Sequence, residues 1–119
     1  MTKVTLSGEC GNSPKNAFAE RCAVAILTGE KTGLDDDCLA ILPDGKETKG
    51  PDALIGALAD TIGKPDAVTI FHAITHGRVG AVNGTFARGG KTCGFALVFE
   101  FRNAKAESIS AVRMYLAPM

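Results

Sequence analysis

At 119 residues the chain is long enough for one core and too short for two, so a single domain spanning residues 1–119 is expected. Lysine plus arginine equals aspartate plus glutamate at 13 each, which leaves no net field to draw the protein to nucleic acid or an anionic membrane. No stretch approaches the ~20 apolar residues of a transmembrane helix, and the N-terminal MTKVTLSGECGNSP lacks a signal peptide's apolar run, so a cytoplasmic protein is expected.

Residues 1 to 12 are polar, with one short apolar alternation at Val4 and Leu6 that fits either an edge strand or an ordered arm. Asn12-Ser13-Pro14 is a helix start: a capping side chain, then proline where a missing N–H costs nothing. The helix is predicted from Pro14 to about Thr28, with Phe18, Cys22, Ala25 and Ile26 on one side, Lys15, Asn16 and Glu20 away from it, and Gly29 as the cap. Glu30 to Asp37 reads as a polar connection. Cys38 to Leu42 is a short strand, Pro43-Asp44-Gly45 a tight turn, and Lys46 to Lys49 the return of a small hairpin. Gly50-Pro51-Asp52 opens a second helix carried by Leu54, Ile55, Leu58 and Ile62 and ended by Gly63 and Pro65.

Val68 to Phe86, VTIFHAITHGRVGAVNGTF, organises the rest: two long strands meeting at the His76-Gly77-Arg78 bend. Strict alternation would put Val68, Ile70, His72, Ile74 and His76 on one face and Phe71, Ala73 and Thr75 on the other. After the turn at Arg88 to Lys91, Cys93 to Phe101 is the most strand-like segment, and Ile109 to Leu116 follows a last turn. Strands joined by such short turns run antiparallel, so the order implies an α+β arrangement with two helices on one face of a curved antiparallel sheet.

The helix followed by LPDGKETKGPDALIGAL, then HAITHGRVGAVNGTF, FALVFEF and ISAVRMYL, resembles the nuclear transport factor 2-like superfamily, which includes ketosteroid isomerase and the SnoaL-like polyketide cyclases. The resemblance covers roughly Ser13 to Leu116 and implies a cystatin-like roll: a cone-shaped sheet, a small hairpin plus a four-strand meander, closed on one side by helices around an apolar pocket. It implies that Ile70 and His72, Val82, Gly84 and Phe86 face inwards. Phe95, Leu97 and Phe99 would join them from the third strand, and Val112, Met114 and Leu116 from the fourth. In isomerase-like members a carboxylate base sits on the hairpin, and a tyrosine with a second carboxylate forms the oxyanion hole. The matching places here are near Ile41, Cys22 and Leu97, none of which can do that work, and the only tyrosine, Tyr115, falls on the outward row. The second helix that such proteins usually carry before the hairpin is replaced by EKTGLDDD, which would leave the pocket more open or covered by the N-terminal arm.

The expected ligand wall is Phe18 and Cys22 from the first helix, Ile70, His72, Val82 and Phe86 from the central hairpin, and Phe95, Leu97, Phe99, Val112 and Met114 beyond it. Such a wall suits a small hydrophobic molecule. His72 is the candidate general acid or base, because apolar neighbours disfavour its charged form; the competing reading is a hydrogen-bonded core histidine. Cys10, Cys22, Cys38 and Cys93 have neither C-x-x-C spacing nor a histidine at ligand spacing, so free thiols are expected, with no metal and no cofactor. Gly77, Gly80 and Gly84 imitate a dinucleotide loop and Gly89-Gly90-Lys91-Thr92 the end of a phosphate loop, but a strand follows each where a helix is required. Asp35-Asp36-Asp37 reads as a solvated loop, since three consecutive carboxylates cannot all converge on one ion without unusual backbone geometry. The outward face, with Ala81, Asn83, Ala96, Val98, Ala111 and Tyr115, is poor in charge, and a homodimer through it is expected. Three functions fit: a hydrophobic-ligand binder, an isomerase-, lyase- or cyclase-like enzyme using His72, or a dimeric interaction module whose pocket is filled by its own side chains.

Overall fold

A computed structural model describes residues 2–11, 13–105 and 107–118. In chain order the elements are β1 (Lys3–Thr5), α1 (Pro14–Leu27), β2 (Leu34–Ile41), β3 (Glu47–Lys49), α2 (Pro51–Thr61), β4 (Ala67–His76), β5 (Val79–Arg88), β6 (Lys91–Phe101) and β7 (Ile109–Pro118). The strands form one sheet in the order β1-β4-β5-β6-β7-β2-β3. The β4 to β7 meander is antiparallel, as its short turns require. The sheet as a whole is mixed, because β1 joins β4 and β2 joins β7 in parallel. Long connections carrying helices separate both pairs in the chain, and only such crossings allow parallel pairing.

α1 begins at the expected place: Ser13 Oγ accepts the Asn16 N–H at 3.2 Å, and Pro14 occupies the first turn. Asn12, the other expected capping residue, lies outside the described residues. Glu20, expected on the polar side, is instead 5% exposed. The arm explains this, because Glu20 Oε2 accepts the Ser7 N–H at 2.9 Å where the chain beyond β1 crosses the helix. The first residues are therefore an edge strand and an ordered arm at once, tied further by Thr2 Oγ1 donating to the Pro65 carbonyl at 2.6 Å.

β2 starts four residues earlier than its apolar run suggests. Three aspartates lower strand propensity, but Arg102 from the turn before β7 offsets their charge. Its Nε donates to Asp35 Oδ2 at 2.8 Å and its Nη2 to Asp37 Oδ1 at 3.1 Å.

The largest departure from simple alternation lies in β4. Ile70 pairs with Gly84, but His72 pairs with Asn83, so one extra residue is accommodated opposite β5. Such a bulge reverses the side-chain parity beyond it. Val68 and Ile70 are buried before the bulge, and Ala73 is buried after it, while His72, Ile74 and His76 are exposed. Thr75 also turns inwards, and its Oγ1 donates to Asn16 Oδ1 on α1 at 2.6 Å. Gly84 is required here by close main-chain approach: a Cβ on it would meet the Thr69 carbonyl oxygen and lie 3.0 Å from Ile70 Cα. A second register shift, between Glu100 and Phe101, places an extra residue in β7 and lets Ile109 as well as Val112 point inwards, opposite Phe101 and Phe99, whose ring centroids are 6.4 Å apart. The inner rows of β5, β6 and β7 pack with α1 and α2 into one apolar core.

Candidate functional site

The inner rows of β5 and β6 run past Phe86 and Cys93 to Arg88 and Lys91, which pair directly across the hairpin end. Gly89 and Gly90 join them with φ of 59° and 81°, the two left-handed residues of a tight primed turn that matches strand twist. The cone stays open at this end. Thr61 and Ile62 at the end of α2 form one side of the gap, the β5–β6 hairpin another, and Leu116 and Pro118 of β7 the third. The result is a cleft of about 770 Å³ whose apolar floor is Phe86, Cys93 and Leu116, continuous with the core.

The charge in this cleft has one sign. Arg88 and Lys91 line it, and among the described residues no carboxylate does. Arg88 also steadies the end of α2, where its Nη1 donates to the Ile62 carbonyl at 3.4 Å, near the negative end of the helix dipole. Gly63 makes room for it, since a Cβ there would lie 2.8 Å from Arg88 Nε. Asp66, whose Oδ2 accepts the Gly89 N–H at 2.9 Å, is bonded to the hairpin but does not line the cleft.

The expected ligand wall behaves differently from residue to residue. Cys22, Ile70, Val82, Phe95, Leu97, Phe99, Val112 and Met114 are buried members of the core, and Phe18 packs against it. Phe86 is the expected residue that lines the cleft. Thr61, Ile62, Arg88, Lys91, Cys93 and Leu116 are among the residues that line it beside Phe86. Leu116 already belongs to the inward row, whereas Arg88 and Lys91 look like ordinary turn residues until parity is counted through the hairpin. Burial pushes the Cys22 and Cys38 thiols up to about 11, which keeps both as neutral, small apolar groups.

His72 is corrected outright. It lies on the outer face, exposed, with Nδ1 3.0 Å from Asn83 Oδ1, because the bulge reverses its parity. Its partner is an amide rather than the carboxylate that would orient a catalytic imidazole. His72→Phe is expected to change the stability measured by urea denaturation by less than about 0.5 kcal/mol, the range for an exposed substitution. Nor do the places of the isomerase machinery carry it: Cys22 and Leu97 are buried apolar groups, and Tyr115 is 54% exposed on the outer face. Among the described residues no helix is long and apolar enough to cross a membrane, and no cluster of three metal-ligating side chains occurs.

No family model matches the sequence, and no curated protein matches it. Solved structures do. An NTF-2 like protein of unknown function from Burkholderia xenovorans superposes with a TM-score of 0.70 at 20% identity, over 87% of this chain and 80% of that one. A candidate ketosteroid isomerase from Kribbella flavida gives 0.68 at 17% identity, over 88% and 78%. A candidate SnoaL-like polyketide cyclase from Jannaschia gives 0.67 at 11% identity, over 88% and 89%. The chain thus has the nuclear transport factor 2-like fold, as its residue pattern suggests. Three neighbours with three different descriptions share one backbone, so function rests on the residues of the site.

Proposed function

We propose that this chain is a cytoplasmic homodimer that binds a small, largely apolar molecule in the cleft at the open end of the cone, without turning it over. The observation that carries the reading is the cleft itself: about 770 Å³, within the range of small-molecule sites, floored by Phe86, Cys93 and Leu116. Cys10, Cys22, Cys38 and Cys93 are free thiols, which suits a reducing compartment. Against turnover stands the placement of His72 outside the cone, together with the apolar side chains at the positions that the isomerases use.

A neutral probe such as 1-decanol should raise the melting temperature in a concentration-dependent way, because a ligand bound only by the folded state stabilises it by mass action. Leu116→Lys should weaken that binding at least about tenfold, since it sets a cation into the apolar floor, while far-ultraviolet circular dichroism stays unchanged. An unaltered affinity in this variant would move the site elsewhere.

A further inference from the structure

We infer that the cleft selects an amphipathic anion, an acid group on an apolar body, with Lys91 and Arg88 holding the head and Phe86, Cys93 and Leu116 the tail; this rests on reading the cleft as a ligand site. The observation is a conflict within the hairpin. Arg88 and Lys91 are direct cross-strand partners on the inner face, where like charges opposite one another are destabilising. A hairpin selected for stability alone would place a carboxylate at one of the two positions. Among the described residues no acidic side chain lines the cleft, and neither Arg88 nor Lys91 forms an ion pair.

Arg88 has a structural task at the end of α2, but that uses one of its five N–H donors. Lys91 has no comparable task among the described hydrogen bonds, so its three donors remain available at the mouth. Local rules broken without a structural gain are expected at functional sites. The geometry also sets the shape of the ligand. A bare inorganic anion would leave the apolar floor and most of the 770 Å³ unused, and a neutral hydrocarbon would leave two facing cations uncompensated. A molecule with one acidic end satisfies both parts of the site.

The test compares decanoate, 1-decanol and decyltrimethylammonium on the full chain at low salt by calorimetry and thermal shift. Decanoate should bind about tenfold more tightly than decanol, the worth of one charge-assisted contact at a partly desolvated rim. Decyltrimethylammonium should bind worst, and the preference for decanoate should collapse in 1 M sodium chloride, where screening acts over about 3 Å. Lys91→Gln should cut decanoate affinity to within about twofold of decanol and leave decanol binding as it was, which separates head recognition from general damage. Lys91→Arg should restore the preference. Equal affinity for acid and alcohol, or a Lys91→Gln variant that keeps the difference, overturns the inference and leaves the apolar cleft standing. Binding of none of the three overturns the cleft reading itself.

Discussion

Replacing Gly84 by alanine should cost about 2–4 kcal/mol of stability, more than most core substitutions of the same size. The obstacle is main chain rather than a side chain that can swing aside: the new methyl would meet the Thr69 carbonyl oxygen and press on Ile70 Cα at the start of the β4 bulge. Relief would require opening the β4–β5 pairing at Ile70 or removing the bulge. Without the bulge, the parity of residues 72–76 would reverse, driving His72 and Ile74 into α1 and pulling Ala73 and Thr75 out of it. That also breaks the Thr75–Asn16 hydrogen bond. Urea denaturation should therefore show a lower midpoint with an unchanged slope. A loss under about 0.5 kcal/mol would mean that the close approach at Gly84 is not a constraint.

The same bulge marks where the sequence stops being legible. Helix starts are written locally, by Ser13-Pro14 and Gly50-Pro51, and the hairpin turns by Gly45, Gly77 and Gly89-Gly90, so the order of elements can be read directly. Alternation then gives the right inner face for β5 and β6, and for β7 either side of one further register shift. It fails for the second half of β4, because a single inserted residue leaves the composition of the strand unchanged while inverting every later side chain. The Gly84 position hints at the insertion, since an inward glycine opposite Ile70 fits a close main-chain approach as well as an open pocket. The start of β2 was hidden for another reason: its aspartates are matched by Arg102, 65 and 67 residues away. The cleft was half visible, its floor through Phe86 and Leu116. Its mouth depends on where α2 ends relative to the β5–β6 hairpin, a distance that no local pattern encodes.

Val98→Lys should convert the proposed dimer to monomer, weakening association by about a hundredfold or more. The outer face it interrupts is apolar and exposed, with Phe71 at 46%, Ile74 at 63% and Tyr115 at 54%. Ala81, Ala96 and Ala111 lie among them as small residues that permit close sheet-to-sheet approach. Val98 sits between Ala81 on β5 and Arg113 on β7, so the new ammonium would be buried in the interface beside an existing guanidinium. In the isolated chain the same position borders solvent, and folding should survive. Light scattering at micromolar concentration reads the outcome, with a wild-type dimer expected to bury on the order of 1,200 Å² or more. A wild-type monomer under those conditions removes the dimer from the account, and a variant that stays dimeric moves the interface to another surface.

On the proposed function an apolar molecule enters at the open end of the cone. Titrating 1-decanol into isotopically labelled protein and following backbone amide resonances maps that place directly. Saturable shifts are expected at Thr61 to Gly63, at Phe86 to Cys93 and at Leu116, with the outer-face amides of His72, Asn83 and Tyr115 unmoved. Shifts confined to those outer-face residues, or none at saturating alcohol, would contradict a binding cleft at the open end of the cone.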